Sequence, residues 1–386
     1  MNQSTARSRI LVLRLSALGD IILCSAALSA ILRVQPGARV DWVISSTWRP
    51  VLEGDPRIER LISFDRGSGL AAWHRLCRGL FSEGYDEVLD LHGSLRTRYA
   101  RLYFLFRRLA DLNFRQRWRV LSKGRWKRAG FFIFKKLWPE RLRPGYGGGL
   151  AVEAARIVGG SEADRPDLSF LLKSPPSVRT QEWLDSLGRS EQGFVTVMPG
   201  SAWPGKRWPL HHWVEMLGQL GLPVVILGTE RDPECEELAQ LLEGGRLRVV
   251  RAFEAVSLRD AAHLIHASRL LISNDTGLVH LAEAIGKPVV QLFGPTHPGL
   301  GFGAWRQESK TLGAELWCRP CSKDGSICFR RGESRFLCQE LLTPVTVRRG
   351  VESVLSRPTP AGEGGRMSLR MTNAGKGWAG AEEGAE

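Results

Sequence analysis

The stretch "SNDTGLVHLAEAIGKPVVQLFGPTHPG", residues 273 to 299, holds a turn, an amphipathic helix and an apolar strand in quick succession. Leu270 to Ser273 reads as one buried strand and Val289 to Phe293 as the next, with a helix opening between them at Asn274 to Gly277. Strand, helix and strand at this spacing predict neighbouring parallel strands in an α/β sheet. Asp275 is a natural N-cap, and the first amides of the helix, at Thr276 and Gly277, lack intrahelical partners and carry the positive dipole end. Such a helix start is either plain scaffold or an anion site, and the segment alone leaves both readings open.

The same alternation extends outward. Upstream lie strand Phe194 to Met198, helix Leu210 to Gln219, strand Val224 to Leu227, helix Pro233 to Leu242, strand Arg248 to Val250 and helix Leu258 to His266. A helical segment near Gln181 to Leu187 follows the joint Leu172-Lys173-Ser174-Pro175-Pro176. Before the joint come strand Ile10 to Leu15, loop Ser16 to Asp20, a helix from Ile21 to Arg33, and strands Val40 to Ile44, Ile58 to Phe64 and Glu87 to Leu91. The pattern predicts two Rossmann-like doubly wound α/β domains, residues 1–174 and 175–356, facing each other across a cleft. From about Pro358 the chain is rich in Gly, Glu and Ala without periodicity, so residues 357–386 are expected to be a disordered tail.

Composition fits a globular protein: 386 residues, 43% hydrophobic and 24% charged. The net charge of +14 is concentrated in one place. Between Arg96 and Arg143 sixteen Lys and Arg face only Asp111 and Glu140, an excess equal to the whole net charge. An anionic partner is expected, and no nucleic-acid motif accompanies the charge. Arg7 and Arg9 before Ile10 to Leu13 imitate a signal peptide only faintly, because Arg14 and Asp20 interrupt the apolar region. No apolar run reaches the ~20 residues of a membrane span. Phe131 to Phe134 is too short to span but could rest in an interface. A cytoplasmic protein, peripheral on the inner membrane, is the expectation.

Ligands of open α/β sheets bind beyond the carboxyl ends of the strands. There Asp20 is either an N-cap or a general base. The loop Pro199 to Pro209 offers Ser201, Lys206 and Arg207 for a phosphate, or is an ordinary Pro/Gly loop with solvated charges. Lys206 would reach a pyrophosphate held at Thr276 and Gly277 from across the cleft. Glu230 and Glu234, after the strand Val224 to Leu227, are candidates for ribose hydroxyls. Neither half carries a G-x-G-x-x-G fingerprint, and no Asp-x-Asp metal motif follows a strand.

Three stretches in order, "RLSALGDIILCSAAL" (14 to 28), "PGSAWPGKRWP" (199 to 209) and "NDTGLVHLAEAIGKPVVQLFGPTHP" (274 to 298), resemble the bacterial lipopolysaccharide heptosyltransferases of glycosyltransferase family 9. The resemblance covers roughly residues 9 to 356. It implies a GT-B type fold, acceptor in the first domain and nucleotide-sugar donor in the second. It further implies inverting, metal-independent transfer from ADP-heptose to the inner core of lipopolysaccharide, with no cofactor for catalysis. Asp20 would take the acceptor proton, Lys206 would stabilise the departing diphosphate, and Thr276 and Gly277 would bind it, with Asp275 and His280 in support. Ser201, Glu230 and Glu234 are the remaining donor-side candidates, and Ser16, Arg96 and Arg98 the acceptor-side ones. The basic segment, interleaved with Trp118, Trp126, Phe131, Phe132 and Trp138, would suit an acidic lipopolysaccharide core on the cytoplasmic face of the inner membrane. Alternatives are the same fold and mechanism with another nucleotide-sugar or acceptor, or a non-catalytic membrane-surface binding protein.

Seven cysteines divide unevenly. Cys24, Cys77 and Cys235 are scattered and expected to be buried thiols. Cys318, Cys321, Cys328 and Cys338 form C-x2-C-x6-C-x9-C, the candidate ligands of a structural zinc.

Overall fold

A computed structural model of the chain describes residues 8–110, 116–122, 124–188, 192–254 and 256–357. The expected tail after residue 357, and Asp111, Arg115 and Lys123 of the basic segment, lie outside the described residues.

The first sheet has five parallel strands, β1 (Arg9–Leu13), β2 (Arg39–Ser45), β3 (Arg60–Phe64), β4 (Glu87–Asp90) and β5 (Arg117–Val120), in the order β3-β2-β1-β4-β5. β1 is central and fully buried from Ile10 to Leu13, as an uninterrupted apolar run requires when helices cover both faces. Around it lie α1 (Leu18–Cys24), α2 (Ala26–Val34), α3 (Gly69–Ser82), α4 (Leu95–Ala110), α5 (Arg125–Phe134) and α6 (Gly149–Arg156). The chain leaves β1 toward β2 on one side, while β4 pairs on the other, so the topological switch falls between β1 and β4.

The helix expected from Ile21 to Arg33 is two helices. α1 starts three residues earlier, at Leu18, and stops at Cys24. At Ser25 the hydroxyl donates back to the Ile22 carbonyl at 2.7 Å, a side-chain bond that bends helices.

After the joint come α7 (Val178–Leu187), β6 (Val195–Met198), α8 (Leu210–Leu220), β7 (Val224–Leu227), α9 (Pro233–Glu243), β8 (Val249–Ala252), α10 (Leu258–Ala267), β9 (Leu271–Asn274), α11 (Gly277–Ala284), β10 (Val289–Leu292), β11 (Lys310–Leu312), α12 (Leu337–Glu340) and α13 (Pro344–Leu355). The second sheet is parallel throughout, in the order β11-β10-β9-β6-β7-β8, with its switch between β6 and β9. The loops that leave β6 and β9 are the two stretches 199–209 and 274–277. Two strands escaped the sequence pattern: β5, inside the basic segment, and β11, three residues beginning with Lys310.

One apolar cluster joins the halves. It runs from Ile10, Ile22, Ile31 and Trp42 of the first sheet and its helices to Ile265, Leu271, Val279 and Val289 of the second. Each large aliphatic side chain withdrawn from water there contributes about 1.5–3 kcal/mol. The outer faces carry separate clusters, one around Trp73 and Phe104, the other around Trp213, Met216 and Leu238.

Candidate active site

The two switch points meet. At residue 19 a Cβ would stand 2.9 Å from His280 Cδ2 and 3.3 Å from Gly277 Cα; at residue 277 it would stand 2.9 Å from the Gly19 amide nitrogen. Only glycine at both places lets α1 and the start of α11 come this close. The positive end of α11 therefore opens beside the helix that carries Asp20.

Asp20 lies in the first turn of α1, while the N-cap is Ala17, so the N-cap reading of Asp20 is corrected. The carboxylate is drawn away from the helix amides by a stronger partner, the guanidinium of Arg14, which pairs with its Oδ2. Arg14 is buried, and its Nη1 donates to the Leu91 carbonyl at 2.5 Å while its own carbonyl accepts from Trp42 Nε1 at 3.1 Å. A fixed cation thus holds one oxygen of a part-exposed carboxylate.

On the other side the loop after β6 is locked to the turn after β9. Asn274 is fully buried; its Oδ1 accepts from the Trp208 amide at 3.1 Å and its Nδ2 donates to the Pro199 carbonyl at 2.5 Å. Lys206 Nζ lies 2.8 Å from Asp275 Oδ2 and donates to the Asp275 carbonyl at 3.2 Å. Asp275 also accepts from Gln291 Nε2 at 3.1 Å and Thr296 Oγ1 at 2.9 Å. The expected Asp275 cap is corrected for the same reason as Asp20: Thr276 is the N-cap, because the carboxylate is spent on an ammonium and two side-chain donors. Ser273 and Thr276 hydroxyls pair at 3.0 Å and shape the turn.

His280 is buried and stacked on Trp305, with ring centroids 5.8 Å apart and planes within 15°. Burial pushes its pKa down to about 4, against the pull of Asp275 and Asp20, so it is neutral near pH 7. On the same helix Glu283 is raised to about 7 by burial, although it accepts from the Trp305 and Arg306 amides and the Ser309 hydroxyl.

The remaining donor-side candidates spread out. Ser201 is buried and its carbonyl accepts from Arg207 Nε at 3.0 Å. Glu234 pairs with Arg207, tying α9 to the loop after β6. Glu230 is exposed at the tip of the loop after β7. In the first half Arg66 Nη1 donates to Ser16 Oγ at 3.4 Å, and the Arg66 carbonyl accepts from Arg96 at 2.9 Å, so Ser16 and Arg96 belong to one chain of contacts. Arg98 points elsewhere, into a cavity of about 500 Å³ beyond β4 and β5 shared with Asp90, Arg101, Arg125 and Trp126.

Sequence reasoning missed Arg14, Arg66, Asn274, Gln291 and Thr296. Arg14, which interrupts an apolar strand just before the loop, was the available signal. Gln291, polar within a buried strand, was another. Arg66 had none.

Cys24, Cys77 and Cys235 are buried as expected, each thiol pushed up to about 12 chiefly by burial. Cys318, Cys321 and Cys338 are buried and Cys328 half-buried. Among the described residues the one group of three potential metal ligands within 4.8 Å is His211, His212 and Glu340; the four cysteines do not form such a group. No helix among the described residues is long and apolar enough to cross a membrane.

Two parallel α/β sheets that face each other through their switch points make the GT-B fold of glycosyltransferases. Solved structures agree: the glycosyl transferase family 9 protein from Veillonella parvula superposes with a TM-score of 0.65 at 21% identity, covering 92% of this chain and 99% of that one. The E. coli ADP-heptose lps heptosyltransferase II gives 0.61 at 21% identity, over 90% and 98%. Residues 153–328 match the model of glycosyltransferase family 9 (heptosyltransferase). Lipopolysaccharide heptosyltransferase 1 of Pseudomonas aeruginosa is 26% identical over 91% of this chain and 99% of its own length. The chain thus matches glycosyltransferase family 9 over residues 153–328, is similar to lipopolysaccharide heptosyltransferases along most of its length, and is a glycosyltransferase.

Proposed function

We propose that the protein transfers heptose from ADP-heptose to the anionic inner core of lipopolysaccharide, with inversion and without a catalytic metal, at the cytoplasmic face of the inner membrane. The observation that carries this reading is the pairing of Asp20 with Arg14 on one side of the cleft and Lys206 with Asp275 at the start of α11 on the other. Inversion needs a base on one face of the sugar and charge stabilisation on the other. Asp20 takes the acceptor hydroxyl proton through the oxygen that Arg14 leaves open. Lys206 has three N–H donors; two are directed at Asp275, and the third serves the diphosphate at the Thr276 and Gly277 amides. The positive charge a metal would bring to the leaving group comes here from that ammonium and the helix start. ADP-heptose and lipopolysaccharide are named for the relatives on which the donor and acceptor choice rests.

Residues 1–174 hold the acceptor and 175–356 the donor in this reading. Ser16 and Arg96, linked through Arg66, line the acceptor side near Asp20, and Arg98 recognises acidic groups farther out. Cys318, Cys321, Cys328 and Cys338 supply the thiol set of a structural zinc, which requires their sulfurs to draw together on binding; stoichiometric zinc in the purified protein is the expected finding, and its absence with four titratable thiols removes the zinc. The function is tested by ADP release across a panel of nucleotide sugars with truncated lipopolysaccharide, with and without EDTA. Turnover confined to another donor leaves the fold and overturns the substrate.

A further inference from the structure

The outward face of α4 is apolar. Leu95, Tyr99, Leu102, Phe106 and Leu109 fall at steps of four, three, four and three residues, which on an α-helix is a single stripe. Leu95, Leu102, Phe106 and Leu109 are each more than half exposed, and Tyr99 is 40% exposed. The opposite face is satisfied by the protein: Thr97, Ala100 and Phe104 are buried, and Phe104 packs edge-on against Phe81 and Trp118. The exposed stripe is therefore a second apolar face that the described residues leave uncovered. Patches of this kind mark surfaces that meet another body.

The charge beside it selects the body. α4 contains Arg96, Arg98, Arg101, Arg107 and Arg108 and no acidic residue. By helical spacing Arg98 and Arg101 border the stripe on one side and Arg96 and Arg107 on the other. A second copy of the chain would set one cationic helix against another. An anionic bilayer instead accepts both components, apolar side chains at the acyl boundary and guanidiniums among the phosphates.

We infer that α4 is a membrane-docking helix that lies in the headgroup layer of an anionic bilayer through Leu95, Leu102, Phe106 and Leu109. The inference rests on the proposed function only for where the acceptor resides. It also gives that function a geometry. Arg98 and Arg101, on the flank of the stripe, line the cavity of about 500 Å³ with Arg125 and Trp126. Docking on α4 brings this cationic cavity to the headgroup level, where a lipid-anchored anionic acceptor is presented.

The test is co-sedimentation of the full chain with vesicles of phosphatidylcholine alone and of phosphatidylcholine mixed with phosphatidylglycerol. The wild type is expected to bind the anionic vesicles, less so in high salt, and to leave the neutral ones in the supernatant. Leu102→Asp with Phe106→Asp should weaken binding about 100-fold or more, the scale of withdrawing two large side chains from apolar contact. Unchanged ADP affinity in that variant shows an intact donor half. Equal vesicle binding by the variant, or no binding by the wild type, overturns the inference. So does a wild-type dimer in light scattering that the double variant converts to monomer without vesicles. Vesicle binding needs no turnover, so failure of the ADP-heptose reading leaves this result standing, and the reverse.

Discussion

The two halves of the cleft handle charge in opposite ways. In the second half the polar groups around the start of α11 have internal partners: Lys206 on Asp275, Asp275 on Gln291 and Thr296, Asn274 on Trp208 and Pro199, Arg207 on Glu234. In the first half Arg98, Arg101 and Arg125 border an open cavity, and exposed apolar side chains lie beside them on α4. Buried, mutually satisfied groups hold a fixed shape, as a ligand of fixed shape requires. Cations that line an open cavity are placed to meet an external anion, and the outer half provides a surface for one. Asp20 stands between, held by one buried arginine and open toward the cleft.

The largest effect that would break this contrast is at the boundary. Asp20→Ala should lower kcat by about 10³–10⁴ with little change in ADP affinity; transfer near the wild-type rate removes the proposed base. Lys206→Ala comes next, with kcat down about 10²–10³ and weaker ADP binding by calorimetry, the usual cost of losing one leaving-group contact. Unchanged kinetics would take Lys206 out of the diphosphate site. On the acceptor side, Arg98→Gln with Arg101→Gln should raise KM for an anionic acceptor about 10-fold or more while ADP affinity holds, since each charge-assisted hydrogen bond is worth about 1.5–3 kcal/mol. An equal rise for a dephosphorylated acceptor would refute anion recognition there.

A smaller test sharpens the rigidity of the donor half. Asn274→Ala leaves the Trp208 amide and the Pro199 carbonyl buried without their partner, and about 2 kcal/mol of stability should go, read from the denaturant midpoint. The last effect is confined to acid pH. His280 titrates near 4 in the folded protein and near 6.5 when unfolded, so its contribution is present above pH 6.5 and is lost as pH falls through about 4. His280→Phe should show a shallower fall in melting temperature over that window. Some slope remains, because His297 is also pushed down to about 4, mainly by burial.

The second half was the more legible from sequence, and the reason is physical. Its ligand groups sit in loops that leave strands, and the strands are apolar runs such as Val224 to Leu227 and Val289 to Leu292 that announce themselves. The role of Asp275 was misread because a cap is a local preference, whereas Lys206 and Thr296 reach it from 69 and 21 residues away. For Asp20 only the cap alternative fails, since the guanidinium that holds it comes from Arg14, just past the end of β1. In the basic segment local pattern gave least. β5 is Arg-Trp-Arg-Val, edge-placed and part-exposed, and its pairing with β4 follows from topology rather than from its own residues. The stripe on α4 was present in the sequence as a helical repeat, but only the fold shows that Phe104 faces inward and Phe106 outward.

The central claim, that the cleft between the two switch points transfers heptose, is tested most directly by ADP release from ADP-heptose on truncated lipopolysaccharide, wild type beside Asp20→Ala, in EDTA. The account predicts acceptor-dependent release by the wild type, insensitive to EDTA and nearly abolished in the variant. Release that needs added metal, or that Asp20→Ala sustains at the wild-type rate, would contradict it.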